Sequence, residues 1–293
     1  MTPTISLNGR LVSTGEALVP ALDRGFLYGD GVFEVLRAYS GVAFALEEHL
    51  GRLRASATRL AMSLPVPISR LRTEVEEALR SAGPIEAHVR IVVTRGAGDL
   101  GVAPMNARDA TRLIVVTPIT TPSRELYARG ARALVARAPW LSAQGPTAGA
   151  KTLNYLANAM WTREAKAVGA DEAIVVGHAD TVLEGATSNV FAVHDGVATT
   201  PPLDTGILPG LTRGFVLSIA EKAGVKAREA RLTLADLWTA DEVFLTSSVR
   251  ELVPVIWVDE HEVGTGEPGP VTRALHRAYR ALTPAAGAPM PWA

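Results

Sequence analysis

Val32-Phe33-Glu34-Val35-Leu36-Arg37-Ala38-Tyr39 reads as a strand, Ser40-Gly41 as a turn and Val42 to Leu46 as the return. Leu46, Leu50, Leu53, Ala57 and Leu60 then recur at the 3.6-residue period of a helix with one apolar face. A hairpin feeding directly into an amphipathic helix points to α+β architecture. Upstream, Ile5-Ser6-Leu7 and Arg10-Leu11-Val12 flank Asn8-Gly9, a dipeptide suited to the positive φ angles of a two-residue hairpin turn. Downstream, a helix is predicted over Ser69 to Ser81, stopped by Gly83-Pro84. Ala87, Val89, Ile91 and Val93 alternate with His88, Arg90, Val92 and Thr94, a strand with two different faces. Arg112 to Thr117 is a further strand.

Pro118 to Ser123, with its prolines and threonines, marks a linker. The expected organisation is a small N-terminal α+β domain (1–117), a linker (118–125) and a larger C-terminal α+β domain (126–293). In the latter, Ala131 to Ala138 reads as a strand and Pro139 to Ala150 as a small-residue loop. A helix is expected from Asn154 to Val168 and another over 211–223, opening after Leu208-Pro209-Gly210. Strands are expected at 173–176, 189–194, 225–231, 242–246 and 252–258. A last helix over 270–282 precedes a loose tail from Thr283. No internal repeat is seen.

Length and composition bound the function. A chain of 293 residues can bury a large core without disulfide or metal staples. Zero cysteines exclude a thiol nucleophile and thiolate metal sites. A net charge of −1 offers no general attraction to nucleic acid or anionic lipid. No apolar run reaches the roughly 18 residues that a membrane helix needs. The N-terminus lacks the basic start and apolar run of a signal peptide, so a cytoplasmic protein is expected.

One motif misleads. Gly96-Ala97-Gly98-Asp99-Leu100-Gly101 fits the dinucleotide pattern G-x-G-x-x-G, which must open a helix. Val102-Ala103-Pro104 is a poor helix opening, and a glycine-rich turn is expected instead. Asp259-Glu260-His261-Glu262 reads as a solvated turn, and no metal site is expected. Three features are open to two readings. Lys151, one of only four lysines, leaves a small-residue loop and enters Leu153-Asn154-Tyr155-Leu156. It is either a solvated loop residue or a desolvated amine able to form a Schiff base. Glu184, between Val182-Leu183 and Gly185-Ala186-Thr187-Ser188-Asn189, belongs to a structural turn or is a buried anion serving chemistry. Gly210-Leu211-Thr212 is an ordinary helix start or an anion site formed by free N–H groups.

Six stretches in one order carry a resemblance. They are Asp23-Arg24-Gly25-Phe26-Leu27-Tyr28-Gly29-Asp30-Gly31-Val32-Phe33-Glu34, His49-Leu50-Gly51-Arg52-Leu53 and Lys151-Thr152-Leu153-Asn154. The others are Glu184-Gly185-x-x-Ser188-Asn189-Val190-Phe191, Leu208-Pro209-Gly210-Leu211-Thr212-Arg213, and Thr246-Ser247-Ser248 ahead of Glu251-Leu252-Val253-Pro254-Val255. From about Leu22 to Val255 the chain resembles the class IV, fold-type IV pyridoxal-phosphate enzymes. This group holds branched-chain and D-amino-acid aminotransferases, (R)-selective amine transaminases and aminodeoxychorismate lyases. The resemblance implies two α+β domains with pyridoxal 5'-phosphate (PLP) between them, in a homodimer or higher homo-oligomer. The C-terminal domain would carry the Schiff-base lysine. Lys151 would be that catalytic lysine and proton shuttle, and Glu184 would pair with the pyridine nitrogen. Arg52, the N–H groups of Leu211 and Thr212, and Ser248 would hold the phosphate. Tyr155 would bond the phenolic oxygen, with Ser188, Asn189 and Ser247 as further cofactor-binding positions. Tyr28 and Phe33 would line the substrate side.

His88-Val89-Arg90 and Leu100-Gly101-Val102 look like a strand and turn of branched-chain aminotransferases. That likeness implies Arg90 near a substrate carboxylate and Val102 at the pocket rim. Lys-x-Leu-Asn and Ala186-Thr187-Ser188 look more like the D-amino-acid and lyase groups. The expected activity is amino transfer between a branched-chain or hydrophobic L-amino acid and a 2-oxo acid. The alternatives are an aminodeoxychorismate lyase and a D-amino-acid or (R)-amine transaminase.

Overall fold

The computed structural model describes residues 2–103, 106–119, 124–138, 145–286 and 290. Pro104, the predicted linker positions 120–123, the loop positions 139–144 and the end of the predicted tail lie outside the described residues. The chain divides into two compact units, Met1–Thr120 with Ala150–Tyr155, and Thr121–Gly149 with Leu156–Ala293.

The first unit contains β1 (Thr4–Leu7), β2 (Arg10–Val12), α1 (Arg24–Tyr28), β3 (Gly31–Tyr39), β4 (Val42–Ala43), α2 (Leu46–Arg59), α3 (Ile68–Ala82), β5 (Ala87–Thr94) and β6 (Arg112–Pro118). Asn8 and Gly9 both take positive φ, as the β1–β2 turn requires. The sheet runs β2-β1-β6-β5-β3-β4, antiparallel throughout. Val32, Leu36 and Ala38 of β3 share one face with Val89, Ile91 and Val93 of β5 and bury against Leu50, Leu53, Leu71 and Val75 of α2 and α3. Period-2 alternation therefore sends Phe33, Val35, His88 and Arg90 to the opposite face. The short α1 has no sequence periodicity to announce it; the Asp23 carboxylate caps it by accepting from Gly25 N, and left-handed Gly29 ends it.

The expectation that Lys151 belongs with the C-terminal domain is corrected here. Residues 150–155 lie along the start of β3. Phe33 N donates to Lys151 O at 3.0 Å, Leu153 N to Gly31 O at 3.0 Å, and Thr152 bridges Val32. Backbone pairing draws the segment into the first unit.

The second unit contains α4 (Arg124–Arg129), β7 (Ala131–Arg137), α5 (Leu156–Ala167), β8 (Glu172–Val176), β9 (Val182–Gly185), β10 (Asn189–His194), β11 (Val197–Thr200), α6 (Leu211–Ile219), β12 (Lys226–Glu229), α7 (Leu234–Trp238), β13 (Glu242–Ser247), β14 (Glu251–Val258), β15 (His261–Glu262) and α8 (Pro270–Arg280). Its mixed sheet runs β12-β11-β10-β13-β14-β7-β8-β9, with β15 on β14. Val190, Ala192, Val243, Leu245, Val253 and Val255 fill one core, while Trp161 and Ala165 of α5 join Val175 in another. The helix expected over 211–223 stops at Ile219, and a 3-10 turn leads to left-handed Gly224. The predicted loose tail begins differently: Thr283 is buried and donates its amide to Arg280 O.

Leu50 is fully buried between α2 and the sheet. Leu50→Ala should destabilise the protein by about 2–5 kcal/mol, read as a lower urea midpoint.

Candidate active site

In the first unit, Lys151 is held through its backbone on both sides. Its carbonyl accepts from Phe33 N, and its own N–H donates to Ser56 Oγ at 3.1 Å. The half-buried side chain brings Nζ to 4.6 Å from the centre of the Phe33 ring and 5.4 Å from that of Tyr155. The two rings meet edge to face at 5.0 Å. The Arg90 guanidinium lies 4.2 Å from the Phe33 centre, and burial draws its pKa below the ordinary value, with Tyr155 opposing. An amine, a guanidinium and two rings thus converge on the sheet face opposite the core.

Arg52 is not a surface cation. Its Nε and Nη2 donate to Glu34 Oε1 and Oε2, both at 2.7 Å, and His49 Nδ1 meets Glu34 Oε2 at 2.7 Å. Glu34 sits on the core face of β3 with no exposed surface. Burial alone would raise its pKa, but the hydrogen bonds and charge of Arg52, aided by His49, bring it down to about 2. Burial acts the other way on His49 and prevails over the hydrogen bond and charge of Glu34, holding the imidazole pKa below its ordinary value.

Tyr28 and Val102 come together through Arg24. Its Nη1 and Nη2 donate to Gly101 O and Val102 O at 2.9 and 2.8 Å, its Nε to Asp30 at 2.9 Å, and its guanidinium lies 4.7 Å from the Tyr28 ring centre. Gly101 N donates to Tyr28 Oη at 3.0 Å. The glycine-rich stretch is therefore a pinned turn, and residues 101–103 start no helix, as expected.

In the second unit, Glu184 Oε2 accepts from Asn189 Nδ2 at 3.2 Å and from Leu208 N at 3.1 Å. Asn189 also donates to Leu208 O at 3.0 Å. A Cβ at position 210 would lie 1.8 Å from Asn189 Oδ1, so only glycine lets the backbone pass there. Gly210 is the N-cap of α6 and supplies no side-chain cap for the N–H groups of the first turn. Ser188 Oγ reaches Glu172 at 3.4 Å, and Thr187 Oγ1 donates to the same carboxylate at 2.8 Å. Arg250 pairs with Glu172 and bonds Thr187 Oγ1 at 2.8 Å, while its amide donates to Ser247 Oγ at 3.3 Å. Ser248 follows in that same turn.

A family model described as amino-transferase class IV matches residues 31–257. The chain belongs to the class IV aminotransferases. A putative branched-chain-amino-acid aminotransferase of Methanocaldococcus jannaschii is 38% identical over 276 residues, covering 94% of this chain and 95% of that protein. A D-alanine aminotransferase of Bacillus licheniformis is 34% identical, covering 94% and 95%. The solved branched-chain aminotransferase of Thermoproteus uzoniensis with norvaline matches with a TM-score of 0.87 at 33% identity, covering 95% of this chain and 93% of that one. Solved structures that match this chain hold PLP or pyridoxamine 5'-phosphate, and this aminotransferase is a PLP enzyme. Amino transfer stands over the lyase alternative.

In the first unit, a lysine amine beside aromatic rings suits the aldehyde of PLP; in the second, a fixed carboxylate suits its ring nitrogen, and a helix start kept open by a glycine whose Cβ would collide with Asn189 suits its phosphate. Sequence reasoning assigned no role to Glu34, His49, Arg24, Glu172 or Arg250. Glu34 does leave a signal, since a carboxylate on the apolar face of a strand needs a partner. His49 and Arg52, spaced three apart among the apolar positions of α2, supply it.

The folded pKa of Glu34 lies below its ordinary 4.5, so its stabilisation is full above about pH 4.5 and is lost as pH falls toward 2. The stability gap between wild type and Glu34→Gln should be on the order of 3 kcal/mol at neutral pH and close across that window. Urea unfolding at stepped pH reads it; a gap unchanged down to pH 2 would refute the assignment.

Proposed function

We propose that this enzyme transfers the amino group of a branched-chain or other hydrophobic L-amino acid to a 2-oxo acid. The observation that carries the reading is the grouping of Lys151, Phe33, Tyr155 and Arg90 on one face of the first sheet. Bound PLP supplies a carbonyl that condenses with amines and a protonated pyridine that accepts the electrons left by the departing α-proton. Lys151 would anchor the cofactor and, once the substrate amine had displaced it, its free Nζ would take up the α-proton and hold it for return. Glu184, fixed by Asn189 and the Leu208 amide, holds the proton on the pyridine nitrogen. Arg52 and the α6 N–H groups of Leu211 and Thr212 receive the phosphate, with Ser247 and Ser248, while Tyr155 bonds the phenolic oxygen. Arg90 receives the α-carboxylate, Phe33 excludes water, and Tyr28 with Val102 meets the aliphatic side chain.

The relatives named D-alanine aminotransferase favour a second reading, a D-amino acid as amino donor. We further infer a cytoplasmic homodimer. Leu18, Phe26, Leu100 and Val102 each expose three quarters or more of their surface, more apolar surface than an isolated turn region needs. Among the described residues, no helix is long and apolar enough to cross a membrane.

A panel of L- and D-amino acids with 2-oxoglutarate as acceptor tests the substrate. Leucine, isoleucine or valine in the L form should support repeated turnover; turnover confined to D-alanine would establish the second reading. Glu184→Gln should lower kcat and kcat/KM together while PLP stays bound, because the neutral amide cannot hold the ring proton. A rise in KM at unchanged kcat would remove Glu184 from that role.

A further inference from the structure

Thr246 ends the apolar run of β13, directly before Ser247 and Ser248. The residue is 2% exposed, and among the described residues its Oγ1 is one of the few buried polar atoms with no hydrogen-bond partner. Such an orphan is unfavourable unless a ligand completes it. The sheet register says which way it faces. Thr246 is the cross-strand partner of Asn189, just as Phe244 is of Phe191, and the two Phe rings stack at 4.8 Å. Directly paired residues share a face. Val243, Leu245, Val190 and Ala192 occupy the other face, in the hydrophobic core. Thr246 therefore stands on the Asn189 side, where Asn189 and the Leu208 amide hold the Glu184 carboxylate and Asn189 Oδ1 packs on Gly210. Asn189 has its Nδ2 committed to Glu184 and Leu208, and Leu252, the neighbour on β14, is apolar.

We propose that Thr246 is a further PLP-binding residue, whose hydroxyl gains its hydrogen-bond partner when the cofactor occupies the Glu184–Asn189 face. The inference rests on the assignment of that face to PLP. A purely structural threonine and a ligand-completed one differ in sign. Thr246→Val keeps the shape and removes the orphan hydroxyl, so the apoenzyme should melt at a higher temperature than wild-type apoenzyme. The same variant should bind PLP about 2- to 12-fold more weakly, the span of one neutral hydrogen bond. Thr246→Ser keeps the hydroxyl and should retain wild-type affinity. The experiment is a PLP titration of the three full-length apoenzymes by fluorescence, with melting curves before and after. PLP affinity of Thr246→Val within twofold of wild type, or a less stable Thr246→Val apoenzyme, would overturn the proposal. Failure of wild-type apoenzyme to bind PLP would instead strike the cofactor assignment, so the two failures are distinct.

Discussion

Two backbone hydrogen bonds, Phe33 N to Lys151 O and Leu153 N to Gly31 O, decide where the chemistry of the first unit sits. They lay a segment far along the chain against the first residues of β3. The antiparallel bridge between Val32 and Thr152 fixes the register. Because strand side chains alternate, the β3–β5 pairing puts Val32 in the core against α2 and α3 and Phe33 on the opposite face. Lys151 then lies beside a ring that also carries Arg90. A slip of one residue between this segment and β3 would set Lys151 opposite Val32 or Glu34, on the core face and away from the Phe33 ring.

Buried charge organises both units around their predicted cofactor positions. In the first, Glu34 locks Arg52 with two parallel bonds, a geometry that a lysine could not reproduce. In the second, Glu172 gathers Thr187, Ser188 and Arg250, tying the turn after β9 to the turn after β13. Such pairs add little net stability over apolar packing, but breaking one partner leaves a charge stranded. Their contribution is geometric: the residues expected to meet a phosphate or a ring are held by neighbours rather than by long flexible side chains.

Much of this was legible in the sequence, for physical reasons that differ by element. The β1–β2 hairpin follows from Asn8-Gly9, and β5 from strict alternation. α2 and α3 follow from their apolar stripes. What escaped is non-local or short. Nothing near Lys151 announces that it pairs with β3, since the partners are remote in sequence. The Arg250–Glu172 pair spans 78 residues and leaves no local pattern. α1 and α7, five residues each, are made by their caps rather than by periodicity. Lys151 stands beside Phe33 and Tyr155, and Arg90 beside Phe33, a grouping that no single stretch of sequence displays. Arg52 is more deeply engaged with Glu34 than its motif alone suggests.

The central claim is that Lys151 is the residue that carries PLP. Borohydride reduction of the purified enzyme followed by peptide mapping tests it most directly. The account predicts a single phosphopyridoxyl label, on the peptide containing Lys151. Label on Lys166, Lys222 or Lys226, with Lys151 unmodified, would contradict it.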